Sequence, residues 1–207
     1  MNVSERLASF FDRKDEEPNI QLALEIVTNQ NAAAVSDLVQ LLKVGKRDQQ
    51  SDCIKVLYEI GERQPKLIAK HFQVFLETLN HKNNRLQWGA MTALDCIALE
   101  NPDLTASHLS GILEASDNDS VITKDHAVGI LIKLASIEKY RETALPLLLE
   151  QLTHCATNQL PMYAERALPV IVEEWKGRFV SVLEKRIPEI DKDSKVKRVV
   201  KVIRKLQ

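Results

Sequence analysis

Glycine and proline are scarce, at 6 and 7 among 207 residues, and aromatic side chains make up 5% of the chain. A β-sandwich or barrel draws on turn formers and on β-branched and aromatic residues, so this composition points to helices. There is no run of 18 apolar residues, and no membrane span is expected. The opening MNVSERLASFFDRKDEE has neither a basic start nor an unbroken apolar core, so it does not read as a secretory leader. The three cysteines, Cys53, Cys96 and Cys155, lie far apart with no CxxC, which predicts no disulfide framework and a reducing, cytoplasmic setting. HExxH, GxGxxG and Gly-rich phosphate loops are also missing. We therefore expect no cofactor, no metal site and no catalysis.

What is present is ordinary for a water-soluble domain: 44% apolar and 28% charged residues, enough at this length to bury a core without staples. The net charge of −1 conceals an asymmetry. Residues 1–165 carry 16 basic against 23 acidic side chains, and residues 166–207 carry 12 against 6.

The chain repeats itself. An aliphatic residue recurs as Ile26, Ile60, Ile97, Leu134 and Ile171, at steps of 34, 37, 37 and 37. An apolar pair followed by a charge recurs as Leu41-Leu42-Lys43, Phe75-Leu76-Glu77, Ile112-Leu113-Glu114, Leu148-Leu149-Glu150 and Val182-Leu183-Glu184. Five units of two helices fit both series, at residues 18–45, 48–80, 83–116, 120–154 and 159–188. First helices such as Ala90-Met91-Thr92-Ala93-Leu94-Asp95-Cys96-Ile97-Ala98 are apolar on too many sides to lie on a surface. Gly89, Ala90, Ala93 and Ala98 would let neighbouring helices come close. Such hairpins cannot hide their apolar sides alone, and stacking them does so.

Punctuation supports these bounds. Pro18, Pro65, Pro102 and Pro161 fall where helices should begin. Gly45, Gly61 and Gly177 fall near expected helix ends, where a left-handed residue would close the last turn. Pro169 should kink the fifth first-helix, and Pro146 leaves a second-helix start open. Residues 3–13, with Leu7, Phe10 and Phe11 on one side, read as an N-terminal capping helix. Residues 193–206, with Val196, Val199, Val200, Ile203 and Leu206 at helical spacing, read as its C-terminal counterpart.

Units of 34–37 residues built of two antiparallel helices resemble HEAT repeats, with armadillo repeats a near neighbour. The best unit runs from Arg85 through Leu86-Gln87-Trp88-Gly89-Ala90 to Ala98, and Pro169 resembles the family's kinking proline. The family's Asp and Arg ladder is patchy here: Asp119 with Lys124 stands in for it in one unit. The tetratricopeptide pattern of Trp, Gly and Tyr is absent. The resemblance implies an all-α, right-handed α-solenoid of about five helix pairs, residues 1–207 forming one repeat domain with a cap at each end. It is nearly silent on function.

In such arrays the second helices line a concave face. Turning Ile68, Phe72, Phe75 and Leu79 inward at 100° per residue aims Lys66, Lys70, Gln73 and Glu77 outward. The stripe continues as Asp103, Ser107, Ser110 and Glu114, then Lys139, Thr143 and Glu150. Its mixed charge suits a protein or peptide partner, and Lys66, Lys70, Gln73, Asp103, Ser107, Ser110 and Lys139 are the candidate contacts of a scaffold. The bland alternative is a solvated face. Some HEAT-like proteins are DNA glycosylases, so nucleic-acid binding or repair through the basic C-terminal region is the rival reading. The stripe alternates Lys with Glu and Asp, which does not suit phosphates. Trp88 in a buried-type helix and Trp175 at a turn offer no cleft for a base. The basic tail from Lys192 reads as a cap with a charged outer face, or else as a patch for nucleic acid, an acidic protein or a membrane surface; its narrow Val stripe argues against membrane insertion.

The remaining chemistry-bearing groups read as structural. His71 and His108, 37 apart, flank the core rather than form a pH-sensitive couple. His154 with Cys155 and Asp125 with His126 are neighbours on a helix and point about 100° apart. Cys53 and Cys96 read as small buried hydrophobes. The acidic cluster Asp12, Asp15, Glu16 and Glu17 lacks the spacing of a calcium loop.

Overall fold

A computed structural model describes every residue except Lys14, Asn118 and Asp119, so the expected Asp119–Lys124 pair lies outside the described residues. Among those described there is no strand. The helices are α1 (Glu17–Thr28), α2 (Ala32–Val44), α3 (Arg47–Arg63), α4 (Phe72–Thr78), α5 (Asn84–Ile97), α6 (Pro102–Ser107), α7 (Leu109–Asp117), α8 (Val121–Ala135), α9 (Glu138–His154), α10 (Leu160–Ala167), α11 (Glu173–Arg186) and α12 (Asp193–Arg204). In chain order they are five hairpins, α1 with α2, α3 with α4, α5 with α6 and α7, α8 with α9, and α10 with α11, followed by α12. The packing divides the chain into two compact units, Met1–Ala127 and Val128–Gln207.

The recurring aliphatic residues are the core. Ile26, Ile60, Ile97 and Leu134 are fully buried, and Ile171 nearly so. In the first unit α3 packs against α1, α2 and α5. Glycines permit this closeness. A Cβ on Gly89 would stand 2.6 Å from Cγ1 of Ile54, and one on Gly61 would stand 2.7 Å from Cδ1 of Ile68 and 3.0 Å from Cβ of Cys96. Gly61 is therefore a packing residue inside α3, not a helix terminator. Gly177 lies inside α11 and faces open space. Gly45 does follow α2, but in extended backbone. No described glycine has positive φ. The left-handed closure falls instead on Gln30, at φ 49°, where Asn31 N–H donates to the Ile26 carbonyl at 3.0 Å and Gln30 N–H to that of Val27 at 3.2 Å.

The second helices of the second and third hairpins are segmented. Pro65–Leu67 and Ala69–His71 are 3-10 turns before α4, and the third is broken at His108 between α6 and α7. Pro169 does more than kink its helix. α10 ends at Ala167, Leu168–Val170 tighten into a 3-10 turn, and Ile171 is extended. Pro146, by contrast, sits inside a continuous α9.

The N-terminal cap is not one helix. Val3–Arg6 and Ala8–Phe11 are separate 3-10 turns joined by an extended Leu7. Val3, Leu7 and Ala8 are buried, but Phe10 and Phe11 stand half exposed, edge to face at 5.4 Å. Side chains from α1 and α3 take the amides a helix would have used: Ala8 N–H donates to Asn19 Oδ1 at 3.0 Å and Ser9 N–H to Asp52 Oδ2 at 2.7 Å.

Polar pairs between first helices replace the patchy ladder. Asn19 Nδ2 donates to Asp52 Oδ1 at 2.7 Å, and His126 Nδ1 meets Asp95 Oδ2 at 2.8 Å. An ionic chain joins Arg85, Glu16, Lys55, Glu59 and Arg63, with Lys55 Nζ 2.6 Å from Glu59 and 3.0 Å from Glu16. Burial opposes the charge on Lys55, but hydrogen bonds to Glu59, Tyr58 and Glu16 outweigh it and raise its pKa. In the second unit the buried Arg186 caps α9. Its guanidinium donates to the carbonyls of Leu152, Thr153 and Cys155 at 2.8, 2.6 and 2.8 Å.

Candidate functional site

The outward stripe starts on the segmented second helix of the second hairpin. Pro65 opens a 3-10 turn carrying Lys66, the next turn carries Lys70, and α4 carries Gln73 and Glu77. All four are exposed, while Ile68, Phe72, Phe75 and Leu79 face the core. The inward and outward sets thus survive the break, because the same apolar residues must still be hidden from water. Gln73 Nε2 donates to Glu77 Oε1 at 3.2 Å.

On the third hairpin Asp103 lies in the first turn of α6, where a carboxylate suits the helix N-terminus. Ser107 and Ser110 flank the break, and both are exposed, as are Asp103 and Glu114. His108 fills the break. Its Nδ1–H donates to the Leu104 carbonyl at 2.9 Å, and its ring meets that of Phe72 of the preceding hairpin at a tilt, the centroids 5.8 Å apart. Ser107, His108, Ser110 and Gly111 form one wall of an open groove of about 300 Å³, and Leu76, Leu79 and Asn80 form the other. Within the first unit the groove gathers Ser107 and Ser110. Lys66, Lys70, Gln73 and Asp103 are exposed outside its lining. Lys139 belongs to the second unit, in the first turn of α9, with its ammonium 5.0 Å over the Tyr140 ring. The sequence reading missed Asn80 and Gly111. The signal for Gly111 was a glycine on the polar side of the second helix; it lies in the first turn of α7, where a Cβ would meet nothing within 4 Å.

The other chemistry-bearing groups have structural employment. His71 stands at the position before α4 without a side-chain capping bond; burial, then Lys70 and Lys43, hold its imidazole below the ordinary range. His154 Nδ1 and Cys155 Sγ turn to the Glu150 and Leu152 carbonyls rather than to each other. His126 meets Asp95, not Asp125. Burial, then the Asp52 charge, push the Cys53 thiol up to about 12, and burial raises Cys155, so neither is a ready thiolate near neutral pH. Trp175 is not at a turn. It is buried in α11, and its indole N–H donates to Glu142 Oε1 at 3.2 Å. Trp88 leans on Tyr58 at 5.8 Å. Among the described residues no cluster of three His, Cys, Asp or Glu could hold a metal, and no helix is long and apolar enough to cross a membrane.

No protein-family model and no curated protein matches the chain. Solved structures do. A designed armadillo repeat protein is 17% identical, with 93% of each chain covered and a TM-score of 0.66. Another, solved in complex with the peptide (KR)4, is 17% identical over 92% of this chain and 87% of its own, at 0.63. An engineered protein is 19% identical over 100% of this chain and 97% of its own, at 0.62. The fold is an armadillo/HEAT-like α-solenoid.

Proposed function

We propose that the protein is a non-catalytic scaffold that holds a polypeptide segment along its second helices. The observation that carries this reading is the groove between α4 and the α6–α7 break, open and lined by Asn80, Ser107 and Ser110 with Leu76 beside them. Small hydroxyls and an amide on a rigid wall offer donors and acceptors to a peptide backbone, while the half-buried Leu76 offers an apolar contact. The exposed Lys66, Lys70 and Gln73 at one end, and Glu77 and Glu114 farther along, give the stripe both signs of charge, which favours selective protein recognition over phosphate binding. A structural neighbour with a bound peptide supports the same use of the fold. Asp103 belongs to the proposed surface as an outer contact, and Lys139 is proposed as a contact of the second unit by itself.

Affinity capture from the native cell extract, followed by mass spectrometry, tests this. Charge reversal at Lys66 and Lys70 together with Gln73→Glu is expected to deplete specific partners, and Ser110→Trp, which fills the groove, is expected to do the same. Retention of every partner by both variants overturns the reading. Capture that is lost steeply with added salt and replaced by nucleic acid supports the rival instead.

A further inference from the structure

We propose that the groove between α10 and α12 is a separate docking site for an acidic amphipathic helix of a protein partner. That helix would set one aliphatic side chain on Leu168 and Val202 and its carboxylates on Lys201 and Lys205.

The site follows from Pro169. Because α10 stops at Ala167, the 3-10 turn leaves Leu168 half exposed beside α12 instead of continuing a helical face. α12 packs its apolar side, Val199, Val202 and Ile203, inward against α10. Arg198 fastens the two helices, its Nε and Nη2 donating to the two carboxylate oxygens of Glu165 at 2.8 and 2.6 Å. Between them remains a pocket of about 180 Å³ with Leu168 and Val202 on its apolar side and Lys201 and Lys205 at its rim. That is room for one side chain, not for a nucleobase with its sugar.

The rim is regular. Lys197, Lys201 and Lys205 step by four residues, about 6 Å per step along the axis. Arg204 lies on the same exposed side. No ion pair engages any of these four among the described residues; Glu165, already held by Arg198, lies near enough to feel Lys201 and Lys205 and offsets part of their charge, and an arriving anion relieves the rest. A partner helix with carboxylates at i and i+4 has the same 6 Å rise, and its intervening apolar residue meets the Leu168–Val202 floor.

One further feature favours an acidic protein over nucleic acid. Residues 193–206 contain no aromatic side chain on which a base could stack. An anionic membrane is disfavoured because the apolar side of α12 is already buried.

The test is fluorescence anisotropy on the full chain with three probes: a labelled helical peptide of glutamates around one leucine, the same peptide with serine for leucine, and a short duplex DNA. The leucine peptide is expected to bind best. Lys201→Glu with Lys205→Glu is expected to weaken it about tenfold or more, and Leu168→Ser to erase the preference for leucine over serine. Circular dichroism confirms that the variants stay folded, and the lysine pair is exposed enough to change without cost to the core. The proposal is overturned if the peptide fails to bind, if the double variant binds it unchanged, or if the duplex binds more tightly than the peptide.

Discussion

Asn19 donates its side-chain amide to Asp52 at 2.7 Å while its carbonyl accepts the Ala8 amide, so one buried residue ties the N-terminal turns to α1 and α3. Asn19 is completely buried. Asn19→Ala strands both the Ala8 N–H and an oxygen of Asp52, and a buried polar group without its partner costs about 1–3 kcal/mol. We expect a lower urea midpoint. We also expect faster hydrogen exchange at the amides of Ala8 and Ser9, with exchange in the second unit unchanged. Unaltered exchange at those two amides would refute the tie.

Gly89 and Gly177 should respond to alanine with opposite signs. Both lie inside helices, where alanine gains about 1 kcal/mol over glycine in propensity. At Gly177 nothing opposes that gain, and Gly177→Ala is expected to raise stability by about 0.5–1 kcal/mol. At Gly89 the new methyl would sit 2.6 Å from Cγ1 and 3.2 Å from Cγ2 of Ile54, a branched side chain that cannot swing away. Gly89→Ala should therefore destabilise by about 1–3 kcal/mol, and the double variant with Ile54→Ala should lose less than the sum of the two single losses, because the new methyl enters the space the isoleucine leaves. Thermal unfolding of the single and double variants decides it.

The contrast between these glycines shows how much of the molecule was legible. The beat of Ile26, Ile60, Ile97, Leu134 and Ile171 announced five hairpins, and all five residues are buried, because burial of apolar area is what periodicity records. The outward set Lys66, Lys70, Gln73, Ser107 and Ser110 was legible for the same reason. What periodicity does not record is which tertiary group will claim a backbone amide. Asn19 and Asp52 drew the first residues away from a helix, and no local signal at Leu7, Phe10 or Phe11 foretold that. The groove also lay beyond reading, since it depends on a break at His108 that a uniform 100° step smooths over.

Arg186 closes the C-terminal end of α9 in place of the usual glycine or water. Three carbonyls accept from its guanidinium, and Nε donates to Glu189 Oε2 at 2.7 Å. Lysine offers a single point of donation and cannot span three carbonyls, so Arg186→Lys should lose most of what Arg186→Ala loses. We expect about 2–4 kcal/mol for alanine, from the orphaned carbonyls and lost packing, and more than half of that for lysine. Chemical denaturation of both variants tests the claim; a lysine variant as stable as wild type would show that charge alone suffices.

His71 makes stability depend on pH in a direction that can be checked. Burial, then the charges of Lys70 and Lys43, hold its folded pKa below the ordinary 6.5. Below about pH 6.5 the unfolded chain therefore takes up a proton that the folded chain resists, and stability is lost as pH falls through that window. Buried Nε2 makes no hydrogen bond, so protonation finds no acceptor to offset the charge. Glu25, Glu59 and Glu165 have pKa values lowered from 4.5, and their contributions fade only in more acid solution. Comparing urea midpoints near pH 7.5 and near pH 5 isolates the imidazole. Wild type should lose more stability on acidification than His71→Gln, while the two differ least at the higher pH in their acid-dependent part. An equal loss in both proteins would mean that another group carries the titration, and that His71 is no more than the residue that starts α4.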